Sequence, residues 1–170
     1  MRRATDAARV WALLDELGRT AREPTTLYLV GGATAVLHGW RPTTIDVDLR
    51  LEPERDELLR ELPAIKERLM INVELASPLD FLPELPGWRE RSPIVSQLGQ
   101  LTVRHLDFYA QALAKVERGL GPDWADVQAM IGAGLVEPGR LRELFEGIAP
   151  ELYRFPAVDP AGLREALNRL

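Results

Sequence analysis

The chain has 170 residues, 46 % of them apolar and none of them cysteine, and a formal net charge of −5. That length suits one domain, or one core with a helical appendage, and the apolar share is enough for a real core. The composition excludes disulfides, thiolate nucleophiles and thiolate zinc sites, and the charge excludes a basic footprint for nucleic acid over the whole chain. No apolar run approaches the roughly 20 residues that span a bilayer. The start, Met1-Arg2-Arg3, runs straight into an amphipathic segment without an apolar signal core, so a cytoplasmic protein with no membrane partner is expected.

Residues 5–22 carry Ala7, Val10, Trp11, Leu14, Leu17 and Ala21 at helical spacing, which predicts a helix with one buried face, ended by Pro24. Residues 27–30 read as a short buried strand running into Gly31-Gly32 and a small-residue helix over 33–38, ended by Gly39. Residues 43–51 alternate. Ile45, Val47, Leu49 and Leu51 point one way, and Thr44, Asp46, Asp48 and Arg50 the other, as on a half-buried strand. Residues 54–69 have helical spacing interrupted by Pro63, which predicts a kink or two short helices. Residues 71–76 alternate again, with Ile71, Val73 and Leu75 toward the core and Asn72 and Glu74 away from it.

The stretch 77–92, with three prolines, Phe81 and Trp88, reads as a long ordered loop. Residues 94–98 and 101–105, joined by Gly99-Gln100, predict a hairpin. Helices follow, opened by Asp107, Pro122, Pro138 and Asp159-Pro160. The expected division is 1–106, an α/β core with its N-terminal helix, and 107–170, a helical part packed on it.

Asp46 and Asp48 are the chemistry-bearing pair. On a strand, residues i and i+2 share a face, and two adjacent carboxylates repel each other unless something compensates them. Hard divalent cations do so, and two Mg²⁺ ions there would clamp the attacking and leaving oxygens of a phosphoryl or nucleotidyl transfer. The plain alternative is a solvated polar strand face. Gly31-Gly32, between strand and helix, permits close backbone approach to a ligand and offers an anion the helix start, although tight packing explains most such pairs. Glu74, on the polar face of the next strand, is a third carboxylate able to ligate metal or act as general base; Asp80 is its rival. His38 and His105 lie far apart in sequence with no neighbouring ligand and read as structural.

Together, Leu29-Val30-Gly31-Gly32 and Arg41-Pro42-Thr43-Thr44-Ile45-Asp46-Val47-Asp48 resemble the nucleotidyltransferase superfamily related to DNA polymerase β. The resemblance covers about residues 27–130 and is closest to its minimal and abortive-infection-toxin-like bacterial branches. It implies an α/β (α+β) nucleotidyltransferase core with a short mixed sheet, helices on one face, and a helical C-terminal half. It also implies Asp46, Asp48 and Glu74 as catalytic and metal-binding residues, Mg²⁺ as cofactor and a nucleoside triphosphate as substrate. Gly31, Gly32, Arg41, Thr44, Lys115 and Asp126 would bind the nucleotide. Lys115 would touch the triphosphate as a cation, and Asp126 would orient it. Arg41 would meet phosphate or pair with a local carboxylate. Two departures stand out: Gly32 occupies a position where many members carry Ser, and Ala33 one where toxin-like members carry Thr or Ser.

The expected activity is transfer of a nucleoside monophosphate to a hydroxyl on RNA such as tRNA, on a protein or on a small molecule, with a cognate toxin or antitoxin as a further partner. The rival functions are a catalytically inactive regulatory or antitoxin-like protein of the same fold, and a metal-dependent phosphodiesterase. The rival fold is a ferredoxin-like binding domain, in which Gly31-Gly32 and Asp46/Asp48 need not converge. Trp88, Arg89 and Arg91 are candidates for stacking on an acceptor base, or for ordinary packing.

Overall fold

Asp6 opens the first helix by accepting a hydrogen bond from the Arg9 N–H at 3.0 Å, and α1 (Ala7–Thr20) buries Val10, Leu13, Leu14 and Leu17. The computed structural model describes residues 3–170; the charged start at Met1 and Arg2 lies outside the described residues. Trp11, expected in the core, is 37 % exposed, because the buried stripe centres on Leu13 and Leu14 and leaves position 11 at its margin.

The chain divides into two units, residues 1–77 with 92–105, and residues 78–91 with 106–170. In the first unit, α1 is followed by β1 (Thr25–Val30), α2 (Gly32–His38), β2 (Asp46–Glu52), α3 (Asp56–Leu69) and β3 (Asn72–Leu75), then by the hairpin β4 (Ile94–Leu98) and β5 (Leu101–His105). The sheet order is β3-β2-β1-β5-β4. β1 is antiparallel to β2 and parallel to β5; β3 runs parallel to β2 and β4 antiparallel to β5. One sheet face carries Leu27, Leu29, Val47, Leu49, Val73, Leu101 and Val103, which form one core cluster with residues of α1, α2 and α3.

Two side chains depart from the strand period. Ile45 is 46 % exposed because β2 begins one residue later, and Leu75 is 44 % exposed at the end of an edge strand. Pro63 does not split its helix: α3 is continuous through it. The ring sits on the exposed face, where water can satisfy the carbonyl four residues earlier, while Leu58, Leu62 and Ile65 hold the helix on the core.

The second unit begins with a 3₁₀ turn at Pro78–Asp80 and the short helix α4 (Trp88–Arg91), where a loop was expected. α5 (Phe108–Arg118), α6 (Gly121–Gly132), α7 (Pro138–Ile148) and α8 (Pro160–Asn168) follow, with a 3₁₀ segment at Ala149–Arg154. Asp107, Glu137 and Asp159 cap α5, α7 and α8 through their carboxylates, and α5 packs against α4, α6, α7 and α8. The chain is thus a mixed α/β protein with one five-stranded mixed sheet and a helical C-terminal half. No helix among the described residues is long and apolar enough to cross a membrane.

Candidate active site

β1 ends at Val30, and the next residue, Gly31, has φ 60° and ψ −123°, a conformation open only to glycine. The register sets Val30 opposite Asp48, and a Cβ added at Gly31 would lie 3.3 Å from Asp48 Oδ2. Gly31-Gly32 and the Asp-x-Asp strand therefore converge in space. On its other side Asp48 faces Glu74 across the β2–β3 ladder, and Asp46 faces Asn72. Directly opposed side chains stand roughly 5 Å apart at Cβ, so three carboxylates and one carboxamide share one patch of the sheet. Asn72 Nδ2 donates to Asp46 Oδ1 at 2.5 Å and to Glu74 Oε1 at 3.2 Å, bridging two of the carboxylates. Asn72 is the member that sequence reasoning missed, although its alternation with Glu74 already placed it on this face. Asp80, the rival of Glu74, falls in the 3₁₀ turn of the second unit.

Gly32 and Thr44 have a local explanation. A Cβ at Gly32 would sit 2.0 Å from Thr44 Oγ1 and 2.7 Å from Thr44 Cβ, so the missing side chain makes room for threonine. The Thr44 hydroxyl donates to the Asp46 carbonyl at 2.9 Å, and the Thr44 backbone pairs with Thr5 through two hydrogen bonds. Together these contacts fix where β2 begins and which way Asp46 points. Gly32→Ala is expected to cost about 2 kcal/mol by overpacking. Combining it with Thr44→Gly should cost at least about 1 kcal/mol less than the two single changes summed, read from thermal melts as a double-mutant cycle. Additive losses would remove this account of the glycine.

Arg41 follows the Gly39 turn, is half-buried, and gives its backbone N–H to the Ala35 carbonyl at 3.4 Å. Lys115 and Asp126 belong to the second unit, where they pair: Lys115 Nζ lies 2.7 Å from Asp126 Oδ2 and 3.7 Å from Asp123 Oδ1. The Asp123 carboxylate also takes a two-pronged hydrogen bond from Arg118. Trp88, expected as a stacking platform, is 2 % exposed; its indole N–H donates to Glu84, and Arg89 covers the ring at 4.4 Å. Arg91 is held by both oxygens of Asp107. These partners correct the acceptor-stacking expectation to packing.

The donor set was tested against Mg²⁺. Among the described residues no three Asp, Glu, His or Cys side chains form a ready cage for a metal ion. Mg²⁺, however, is usually held by one or two carboxylates, with water and substrate phosphates completing its shell. Asp46 and Asp48, two hard oxygen donors on one sheet face, fit that mode, and Glu74 stands beside them with its Oε1 on Asn72.

The two histidines, distant in sequence, meet in the first unit. Their ring centroids are 4.7 Å apart, His38 stacks on Trp40, and His105 Nδ1 lies 3.1 Å from Thr34 Oγ1, which also donates to the Leu29 carbonyl. Thr34 thus points into the core. Burial first, and the neighbouring His38 charge second, lower the His105 pKa from 6.5 to about 4. The unfolded chain takes up this proton at higher pH than the folded one. The contribution of His105 to stability is therefore present above its ordinary pKa and is lost as pH falls toward the folded value. His105→Gln should flatten the loss of stability between about pH 6.5 and about pH 4, measured by chemical denaturation across that window. An unchanged slope would remove His105 as its source.

Comparison with protein-family models, with curated proteins and with solved structures found no match.

Proposed function

We propose that the chain is a Mg²⁺-dependent nucleotidyltransferase that moves a nucleoside monophosphate from a triphosphate to a hydroxyl. One observation carries this reading: Asp48 stands between the backbone turn at Gly31 and the carboxylate of Glu74, with Asp46 on the same face. Asp46 and Asp48 hold the metal, which when bound neutralises charge on the transferring phosphate. Glu74 takes the proton of the incoming hydroxyl. The hydroxyl oxygen forms its bond to the α-phosphorus as the bond to pyrophosphate breaks, and pyrophosphate leaves. The acceptor is a macromolecule, RNA or protein, by the toxin-like resemblance, and the setting is cytoplasmic with a toxin or antitoxin partner.

A second reading is favoured by Asn72, whose amide engages both Asp46 and Glu74: a fold-sharing regulatory protein without turnover. Incubation with α-labelled triphosphates, with and without Mg²⁺, separates the readings. Label on an acceptor, dependent on Mg²⁺, supports transfer; absence of any chemistry across the four nucleotides and RNA, protein and small-alcohol acceptors overturns it in favour of the regulator. Nucleotide hydrolysis alone points to a hydrolase.

A further inference from the structure

β3 is an edge of the sheet, paired with β2 on one side and with no strand on the other. Along that open side runs a groove of about 690 Å³ between the strand and α3. Leu59 and Leu62 of α3 line one wall, and Ile71 and Leu75 the other. Leu75 and Met70 are 44 % and 58 % exposed. The cations Arg3 and Lys66 also line it, and neither makes an ion pair among the described residues; Glu67 offsets one of them.

We propose that this groove binds an extended, acidic and apolar peptide segment of another protein, added as a sixth strand beside β3. The backbone groups on the outer side of an edge strand need partners, and an extended chain presents donors and acceptors at the matching spacing. A small molecule would leave that ladder open. In a strand laid there, every second side chain enters the groove between helix and sheet, where Leu59, Leu62 and Leu75 take apolar groups. Alternate acidic side chains meet Arg3 and Lys66. A second copy of this chain is the poorer occupant, because two-fold pairing would bring like cations together across the contact. The inference stands apart from the transfer reaction, and either can fail alone.

The test selects a displayed library of random peptides, each about a dozen residues long, enough to span a strand and its flanks, on the full chain. Leu75→Glu serves for counter-selection. Ile94→Glu, on the opposite edge strand β4 where Ile94 is 63 % exposed, serves as control. Enriched sequences should alternate apolar with acidic residues. A synthetic peptide of that sequence should slow hydrogen exchange at the Asn72–Leu75 amides. Its affinity should fall about ten-fold with Leu75→Glu or with alternate N-methylation of its backbone, and stay unchanged with Ile94→Glu. The proposal is overturned if no sequence is enriched, if protection falls on β4, if N-methylation has no effect, or if β3 is protected by self-association without peptide.

Discussion

Asp46→Asn is expected to lower kcat/KM for nucleotidyl transfer on the order of a thousand-fold while the folded structure persists. The substitution keeps the shape of the side chain and an oxygen able to accept the Asn72 amide, so the bridge to β3 survives. What it removes is the negative charge that would hold the metal. A loss of several kcal/mol of charge stabilisation in the transition state corresponds to about three orders of magnitude in rate. Like-charge repulsion with Asp48 is also relieved, so the melting temperature without metal should not fall. Turnover at the wild-type rate in ordinary Mg²⁺ would sink the metal assignment, whatever happened to stability.

Lys115→Ala should be the most destabilising single change considered. The ammonium is buried against Asp126 and Asp123, both of them buried as well. Removing it strands charge in the interior of the helical unit. Breaking one partner out of a buried ion pair costs about 3–5 kcal/mol, which in a chain of this size lowers Tm by about 10 °C. A second substitution, Asp126→Leu, should return part of the loss by removing the orphaned carboxylate. If Lys115 instead acts on the triphosphate, as the toxin-like resemblance implies, Lys115→Ala should melt close to wild type and lose nucleotide affinity in calorimetric titration. Acid supplies a further check. Burial alone would raise the Asp123 pKa, but the hydrogen bond and charge of Arg118, with the charge of Lys115, bring it below its ordinary 3.8. Its stabilising contribution is therefore full above that ordinary value and is lost as pH falls through the lowered one. In Lys115→Ala that final acid loss should shrink.

Much of the architecture is legible as pattern. The alternation around Asp46 and Asp48 yields β2, Gly99-Gln100 marks the hairpin, and Asp107 and Asp159 announce α5 and α8. Local chemistry decides these elements, so a local reading finds them. The misses are decided by contacts remote in sequence. Pro63 stays inside one helix because the core grips both sides of it. Leu75 has an apolar side chain at the right period, but its strand lies at the edge of the sheet. His38 and His105 meet because α2 and β5 end side by side, which no spacing encodes. For the site, strand, Gly-Gly, helix and Asp-x-Asp strand foretold the convergence. The reason for Gly32 was hidden, since it is the Thr44 side chain that needs the room.

The polypeptide passes from one unit to the other three times, after Ser77, after Arg91 and after His105. β5, the last strand made, lies inside the sheet between β1 and β4, while the segment 78–91 belongs with α5, which follows β5. A chain emerging from the ribosome therefore has no finished piece to set aside. Until residue 105 appears, β1 lacks one neighbour and its apolar Leu27 and Leu29 lack part of their cover; until α5 appears, 78–91 has nothing to settle on. The two halves must mature almost together. A gene cut at any one of the crossings would yield fragments that complement each other rather than modules that stand alone.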